Sequence, residues 1–191
     1  MEKPPFTNRH YNTSGHAHEL TYSCYRRSPY FNDPLACRLF LDSVRRAQIK
    51  FNFHLWAYII MPNHVHLLIW PCDQEYDISK ILQAINGAMS RRYSRLLRRI
   101  NPSLHSTFFE RDSKNHGFRF WQRGGGFDRN LFNDKAIYDS IRYIENNPVR
   151  AKIVQTTEQY NWSSAWHVLN PEKFRPKINR GSVPVRMVNR Y

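Results

Sequence analysis

The order of the predicted elements, β-α-β-β-α-β-α, indicates an α+β sandwich in which helices pack on a face of one antiparallel sheet. Two observations predict it: apolar residues switch between strand and helix periodicity along the chain, and a β-rich hairpin lies between two amphipathic helices. The length of 191 residues suits one domain. We place this domain at 17–170, after a flexible arm at 1–16 and before a basic tail at 171–191.

The first strand and the first helix have clear local signals. Apolar residues alternate over 18–26, which predicts a strand. Asp33 can cap the following helix, and Pro34 suits its first turn. Apolar residues then recur at helical spacing to about Lys50, where we expect the helix to end.

A hairpin and a second helix follow. The β-rich runs 53–61 and 64–70 are separated only by Pro62-Asn63, which indicates a tight connection. The second helix is predicted to begin near Asp77. Its apolar stripe comprises Ile78, Ile81, Leu82, Ile85, Met89, Tyr93 and Leu96.

The last strand and the third helix complete the predicted order. The run 118–122, Phe-Arg-Phe-Trp-Gln, reads as a short strand, and the three glycines at 124–126 break the structure after it. The third helix has a cap at Asn133 or Asp134, and Pro148 stops it because the residue before a proline is pushed out of the helical region.

The strong positive charge limits the classes of binding partner that the sequence favours. The net charge is +14 and the pI is about 10.0. Arginine supplies most of this charge and is interleaved with aromatic residues, which suits phosphate contact and base stacking. A membrane-lipid partner is the weaker interpretation, so we expect a nucleic-acid partner.

Cysteine usage and the N-terminus indicate the compartment. Cys24, Cys37 and Cys72 are odd in number and form no C-x-x-C pair, which fits a reducing environment. The N-terminal residues lack the apolar segment of a signal peptide, and no apolar stretch approaches the length of a membrane span. We therefore expect a cytoplasmic protein without a membrane partner.

The chain contains a histidine pair on its second hairpin strand. Alternation places His64 and His66 on one face of the strand, about 7 Å apart, and turns Val65 to the opposite face. Two neutral imidazoles on one face can share a divalent cation. Two histidines on a solvated sheet face would give the same pattern, so the pair alone does not decide between these interpretations.

A tyrosine and an asparagine stand four residues apart in the third helix. Tyr143 and Asn147 would present a phenol and an amide on one helical face. The amide oxygen is a hard ligand suited to Mg²⁺ or Mn²⁺. Ordinary packing of Tyr143, with Asn147 ending the helix before Pro148, is the structural alternative.

Taken together, these motifs resemble those of a known family. The resemblance lies in YIIMPNHVHLLIWP at 58–71, FWQRG at 120–124, YIENNPVRAKIV at 143–154 and WSSAW at 162–166, within the span 18–167. In content and order they are similar to the REP-associated tyrosine transposases, which are single-tyrosine HUH transposases. The loop at 101–117 and the triple glycine depart from the family pattern.

The resemblance implies a fold, a reaction and a set of site residues. The fold would be ferredoxin-like, with the two histidines on a central strand. His64, His66 and Asn147 would bind a divalent metal, Mg²⁺ or Mn²⁺. Tyr143 would be the nucleophile that cleaves and rejoins single-stranded or hairpin DNA through a 5′-phosphotyrosine, with Tyr138 as the rival tyrosine. The enzyme would act as a monomer or a homodimer.

DNA contact is expected from surfaces outside this motif. Arginines repeat along one face of the second helix, opposite Tyr93 and Leu97, and would contact phosphates; they are Arg91, Arg95, Arg98 and Arg99. A solvated helix face is the alternative. Trp121 could stack on a base, although packing in the core explains it equally well.

Two other functions remain open. A non-catalytic nucleic-acid-binding module could use the same scaffold, because the fold alone does not decide function. A metal-dependent nuclease could use the same histidines and release its product by hydrolysis. A covalent protein–DNA adduct would separate the transposase from both.

Overall fold

A computed structural model describes residues 10–109, 117–124, 126–171 and 175–184 of the chain. Four strands form one antiparallel sheet: β1 (Ala17–Ser23), β2 (Phe53–Met61), β3 (His64–Pro71) and β4 (Phe127–Leu131). Their order across the sheet is β2-β3-β1-β4. With the intervening helices, this connectivity is that of a ferredoxin-like sandwich, so the predicted fold class is confirmed.

Three longer helices accompany the sheet: α1 (Pro34–Lys50), α2 (Ile78–Ile100) and α4 (Asp134–Glu145). Three short helices are α3 (Pro102–Ser106), α5 (Asn147–Arg150) and α6 (Ser164–Leu169). The predicted caps at Asp33 and Asn133 are correct, because each side chain accepts a backbone N–H at the start of its helix. Asp77, near which the second helix was expected to begin, also caps its helix. Among the helices of the described residues, none has the length and apolar character needed to cross a membrane.

The sheet has a packed layer on each face. Helices α1 and α2 cover the face of β1 and β3 that carries Leu20, Tyr22 and Val65. Helix α4 covers the opposite face and buries Ile137 and Ile141 there. Because side chains alternate along a strand, the two histidines of β3 lie on the face covered by α4.

The predicted position of the last strand is wrong. The segment 118–122 makes only isolated bridges, Phe118 with Phe109 and Trp121 with Cys24, and the fourth strand is Phe127–Leu131. The aromatic side chains at 118–122 gave the segment a strand-like composition, but they fill the core beside α2. The true strand, Phe-Asp-Arg-Asn-Leu, lacks β-forming composition and pairs with β1 alone at the sheet edge.

Parts of the predicted arm and tail make specific contacts. In the arm, His10 Nδ1 lies 2.7 Å from Asp128 Oδ2. In the segment predicted as a basic tail, the backbone N–H of Asn179 donates to Leu55 O at 2.8 Å, and Val183 is buried against the α4 side of the sheet. Residues 175–184 therefore lie along the outer edge of β2. The basic composition of this segment did not predict that it packs there.

Candidate active site

The two histidines of β3 lie side by side beneath α4. His66 is paired with Thr21 of β1 and with Ile59 of β2, so it occupies the middle of the sheet. The imidazole rings of His64 and His66 are 5.1 Å apart between centroids and nearly perpendicular, at 81°. Val65 is fully buried on the other face, as the alternation predicted.

Hydrogen bonds hold one nitrogen of each imidazole and leave the other for a ligand. His64 Nδ1 lies 2.7 Å from Asn63 Oδ1, and His66 Nδ1 lies 2.7 Å from Thr21 Oγ1. Burial lowers the pKa of His64, and the charge of Arg27 lowers it further. Burial, followed by the neighbouring His64, lowers the pKa of His66 to about 4. Both rings are therefore neutral at neutral pH, which is the form that binds a metal.

Helix α4 brings a tyrosine to this pair. Its isoleucines pack on the sheet, which turns Tyr143 to the helix side that overlooks β3. The Tyr143 ring is 42% exposed and stands at 87° to the His66 ring, with 5.8 Å between centroids. The guanidinium of Arg150 lies 5.0 Å from the centre of the Tyr143 ring. The phenol is thus held between a histidine and a cation, yet remains open to solvent.

Asn147 lies one turn beyond the tyrosine, although not inside α4 as predicted. The helix ends at Glu145, and Asn147 begins the short helix α5, which accommodates Pro148 in its first turn. The Asn147 amide nitrogen donates to the backbone oxygens of Tyr143, at 2.9 Å, and Ile144, at 3.3 Å. Asn147 therefore ends the helix, as the structural alternative predicted, and its amide oxygen is not used by these two hydrogen bonds.

A pocket of about 400 Å³ opens beside Tyr143 and His66. Its other walls are Thr21, Phe127 and an ion pair between Glu19 of β1 and Arg129 of β4. Sequence reasoning missed Glu19 and Arg129, because they are separated by 110 positions and meet only through the β1–β4 pairing. For Arg129, the alternation of side chains in 127–131 would have been the only sequence signal of a strand that carries it to this pocket.

The available donors fit a divalent cation. Within the described residues, no three His, Cys, Asp or Glu side chains gather as a metal cluster, so a site here would need an amide ligand. The second nitrogens of His64 and His66 and the amide oxygen of Asn147 have no hydrogen-bond partner in that part of the chain. Two neutral imidazoles and one amide oxygen are donor types that suit a divalent cation, and such a set would leave positions for substrate oxygens.

The rival tyrosine lies elsewhere on α4. Tyr138 packs against the buried cluster between α4 and the sheet, and its hydroxyl donates to Pro184 O at 3.0 Å. Its hydroxyl is therefore engaged by residues 175–184, whereas the Tyr143 ring contacts His66.

The arginine face of α2 lines a groove of about 470 Å³ together with Ser90, Ser94 and Phe118. Tyr93 and Leu97 are buried on the opposite side of the helix, as predicted, and Leu97 takes the core position expected for Leu96. The exposed cations of the groove are Arg91, Arg95, Arg98 and Arg99.

Trp121 is largely occupied by packing. Its ring lies 4.8 Å from Phe120 and 5.0 Å from Tyr22 between centroids, and its indole N–H donates to Asn86 O at 3.3 Å. One edge of the ring still lines a cleft beside β1. Phe120 is fully buried and has no exposed face for stacking.

Comparisons with known proteins place this arrangement in a family. The profile of the "Transposase IS200 like" family matches residues 12–147. A solved structure described as a REP-associated tyrosine transposase bound to a REP hairpin is similar in fold, with a TM-score of 0.65 and 16% identity over 98% of this chain and 99% of that chain. A putative transposase from Deinococcus radiodurans gives a TM-score of 0.43 and 21% identity, over 73% of this chain and 97% of the other.

No curated protein matches the chain significantly. The family match nevertheless covers well over half of the sequence, and it includes the histidine pair, the tyrosine and the asparagine. It agrees with the resemblance found in the motifs. The chain belongs to the IS200-like transposase family.

Proposed function

We propose that this protein cleaves and rejoins single-stranded DNA, next to a hairpin, through a covalent bond to Tyr143. The observation that carries the proposal is the 5.8 Å approach of the Tyr143 ring to His66, across an open pocket. A nucleophile beside two neutral imidazoles, one of which lines the same pocket, supplies the protein groups that metal-assisted phosphodiester transfer requires. The similar REP-associated structure holds a REP hairpin, which supports hairpin DNA as the substrate class.

The reaction exchanges one phosphate ester for another. The Tyr143 oxygen attacks phosphorus, the bond between phosphorus and the 3′ oxygen breaks, and the phenolic proton ends on the released 3′-hydroxyl. The 5′-phosphate remains on Tyr143 as a phosphotyrosine that keeps the energy of the broken ester. A second 3′-hydroxyl can then attack this ester, release Tyr143 and join new DNA ends.

The ligands proposed for a divalent cation, Mg²⁺ or Mn²⁺, are His64, His66 and Asn147. Such an ion would offset the negative charge of the phosphate oxygens that repels an incoming nucleophile. Asn63 and Thr21 hold the two imidazoles in place through their Nδ1 atoms. Arg150 packs against the phenol and restricts its position.

DNA binding is proposed at the groove of α2 and at the exposed edge of Trp121. The groove is rich in cations and open to solvent, which suits the phosphate backbone of a hairpin. Four arginines supply its charge: Arg91, Arg95, Arg98 and Arg99.

The decisive experiment is adduct formation on labelled hairpin DNA with Mn²⁺, followed by a denaturing gel. The wild-type protein should give a band shifted by the attached DNA fragment. Tyr143→Phe should lose this band because it lacks the attacking oxygen, and Tyr138→Phe is the matched control that should keep it. An adduct that persists in Tyr143→Phe would move the nucleophile to another residue.

The same gel separates the competing functions. Cleavage without any adduct would identify a hydrolytic nuclease, and binding without cleavage would identify a nucleic-acid-binding module. His64→Ala and His66→Ala should abolish cleavage and leave DNA binding largely intact. Normal cleavage by both variants would contradict the metal assignment.

A further inference from the structure

A second cleft adjoins the catalytic pocket. It has a volume of about 990 Å³, against about 400 Å³ for the pocket itself. It lies at the end of β1, between α2 and residues 121–124 and 126–127. The proposed function uses this larger space only at the exposed edge of Trp121.

The cleft and the catalytic pocket share two walls, Thr21 and Phe127. Thr21 contacts His66 through its hydroxyl, so the boundary between the two spaces lies beside the proposed metal ligands. Gly126 makes this junction possible, because a Cβ there would lie 2.4 Å from the backbone oxygen of Thr21. A DNA strand whose phosphate lies at Tyr143 would therefore have its neighbouring nucleotide at the mouth of the cleft.

Two buried polar atoms in the walls of the cleft have no hydrogen-bond partner among the described residues. They are the Tyr22 hydroxyl oxygen and Asn86 Oδ1. Buried polar atoms are almost always hydrogen-bonded in folded proteins, and an unsatisfied one favours a ligand that supplies the missing group. Asn86 Oδ1 needs a donor, and the Tyr22 hydroxyl can donate or accept.

The remaining walls suit a flat, aromatic ligand attached to a phosphate chain. Trp121 lines the cleft, and Phe127 stands 55% exposed at its mouth. Arg27 and Arg123 add positive charge to the lining. Aromatic faces, a polar inner wall and cationic residues together match a nucleobase with its backbone outside.

We propose that this cleft binds one unpaired nucleobase adjacent to the cleaved phosphodiester, with an amino group of the base donating to Asn86 Oδ1. The inference rests on the proposed function and adds a base-specific site to it. Adenine, cytosine and guanine carry such an amino group, whereas thymine does not. The cleft would thus select the base that flanks the cleavage site.

The test measures binding of hairpin DNA in the Tyr143→Phe background, so that no cleavage interferes. Abasic sites are placed one at a time in the unpaired flank. One position should weaken binding at least about fivefold, which corresponds to the loss of one stacked base. Thymine at that position should also bind more weakly than the amino-bearing base.

Asn86→Leu should remove this dependence, because the variant lacks the buried acceptor while keeping a similar volume. The preference for the amino-bearing base over thymine should fall to about one in Asn86→Leu and remain unchanged in Gln74→Leu, an exposed control outside the cleft. If Asn86→Leu fails to fold, Gln83→Ala, an exposed residue in the same wall, should reduce this preference instead.

An equal preference for the amino-bearing base over thymine in the wild-type and Asn86→Leu backgrounds, or no sensitive position at all, would overturn the base site. This failure is distinct from failure of the proposed function, since Tyr143 would still form its adduct with DNA. Loss of the adduct in the wild-type protein would overturn the nucleophile assignment on which the base site rests.

Discussion

The hydroxyl oxygen of Thr21 lies 2.7 Å from Nδ1 of His66, across directly paired positions of β1 and β3. Partners of this kind fix the ring orientation and the protonation pattern of metal-binding histidines. If a cation binds the other nitrogen of His66, Nδ1 carries the proton and donates a hydrogen bond to the hydroxyl oxygen of Thr21.

Thr21→Val keeps the shape of the side chain and removes the hydroxyl. We expect Mn²⁺ affinity to fall about tenfold, because His66 loses the partner that orients it. Isothermal titration calorimetry of the apoprotein would measure the change. Thr107→Val, an exposed site away from β3, is the control. Equal affinity in both variants would mean that Thr21 has no role in the metal site.

Glu145 ties the end of the tyrosine helix to the C-terminal segment. It accepts a hydrogen bond from Ser164 Oγ at 2.6 Å and forms an ion pair with Arg180. Both Glu145→Gln and Arg180→Met should slow adduct formation several-fold, because Tyr143 lies only two residues from this anchor. DNA affinity should change little, which separates a positioning effect from weaker binding.

A double-mutant cycle checks whether the two residues act as a pair. The Glu145→Gln/Arg180→Met protein should be no slower than either single variant in single-turnover adduct assays. Lys135→Met, which removes a cation from the exposed start of α4, is the control. Multiplicative decreases in rate would show that the two residues act independently.

The groove of α2 is expected to contact DNA phosphates. Replacing Arg91, Arg95 and Arg98 together with alanine should lower affinity and flatten the dependence of log affinity on log salt. The slope should change by about one unit for each phosphate that the variant no longer neutralises. Fluorescence anisotropy of labelled hairpin DNA at several salt concentrations would measure the slope.

The control for the groove removes three exposed cations elsewhere, at Arg38, Lys50 and Lys80. It changes the net charge by the same amount, so it should leave most of the slope in place. If the groove variant has the same slope of log affinity against log salt as the wild-type protein, this helix face is not part of the DNA interface.

Asp42 should make the free energy of unfolding depend on pH in the acid range. Burial raises its pKa, but hydrogen bonds from Arg46, Arg45 and Arg92 outweigh burial and lower the pKa from 3.8 to about 2. A carboxylate with a lowered pKa stabilises the fold above pH 3.8, and this contribution disappears as the pH falls towards 2.

Asp42→Asn should therefore unfold more easily than the wild-type protein at pH 7, by about 1 kcal/mol because solvent screens these partly exposed ion pairs, and by little near pH 2. Urea denaturation at both pH values would measure the difference. Asp73→Asn, an exposed site, is the control. A deficit of equal size at both pH values would show that the ionised form of Asp42 has no special role.

Local sequence patterns alone determined where several elements begin and which face of a strand carries which residues. The capping side chains of Asp33 and Asn133 predicted where two helices begin, because a cap bonds to residues two or three positions ahead. The spacing of His64 and His66 determined that they share a face, because alternation is a property of any strand. The motifs around them identified the family.

Tertiary structure decided everything that depends on residues far apart in the chain. The edge strand Phe127–Leu131 is polar and forms because β1 supplies its hydrogen bonds, while 118–122 has the composition of a strand but is drawn into the core. Glu19 meets Arg129, and Tyr143 meets His66, only after the sheet has formed and α4 has packed on it. Periodicity and capping act over a few residues, so they carry no information about these long-range contacts.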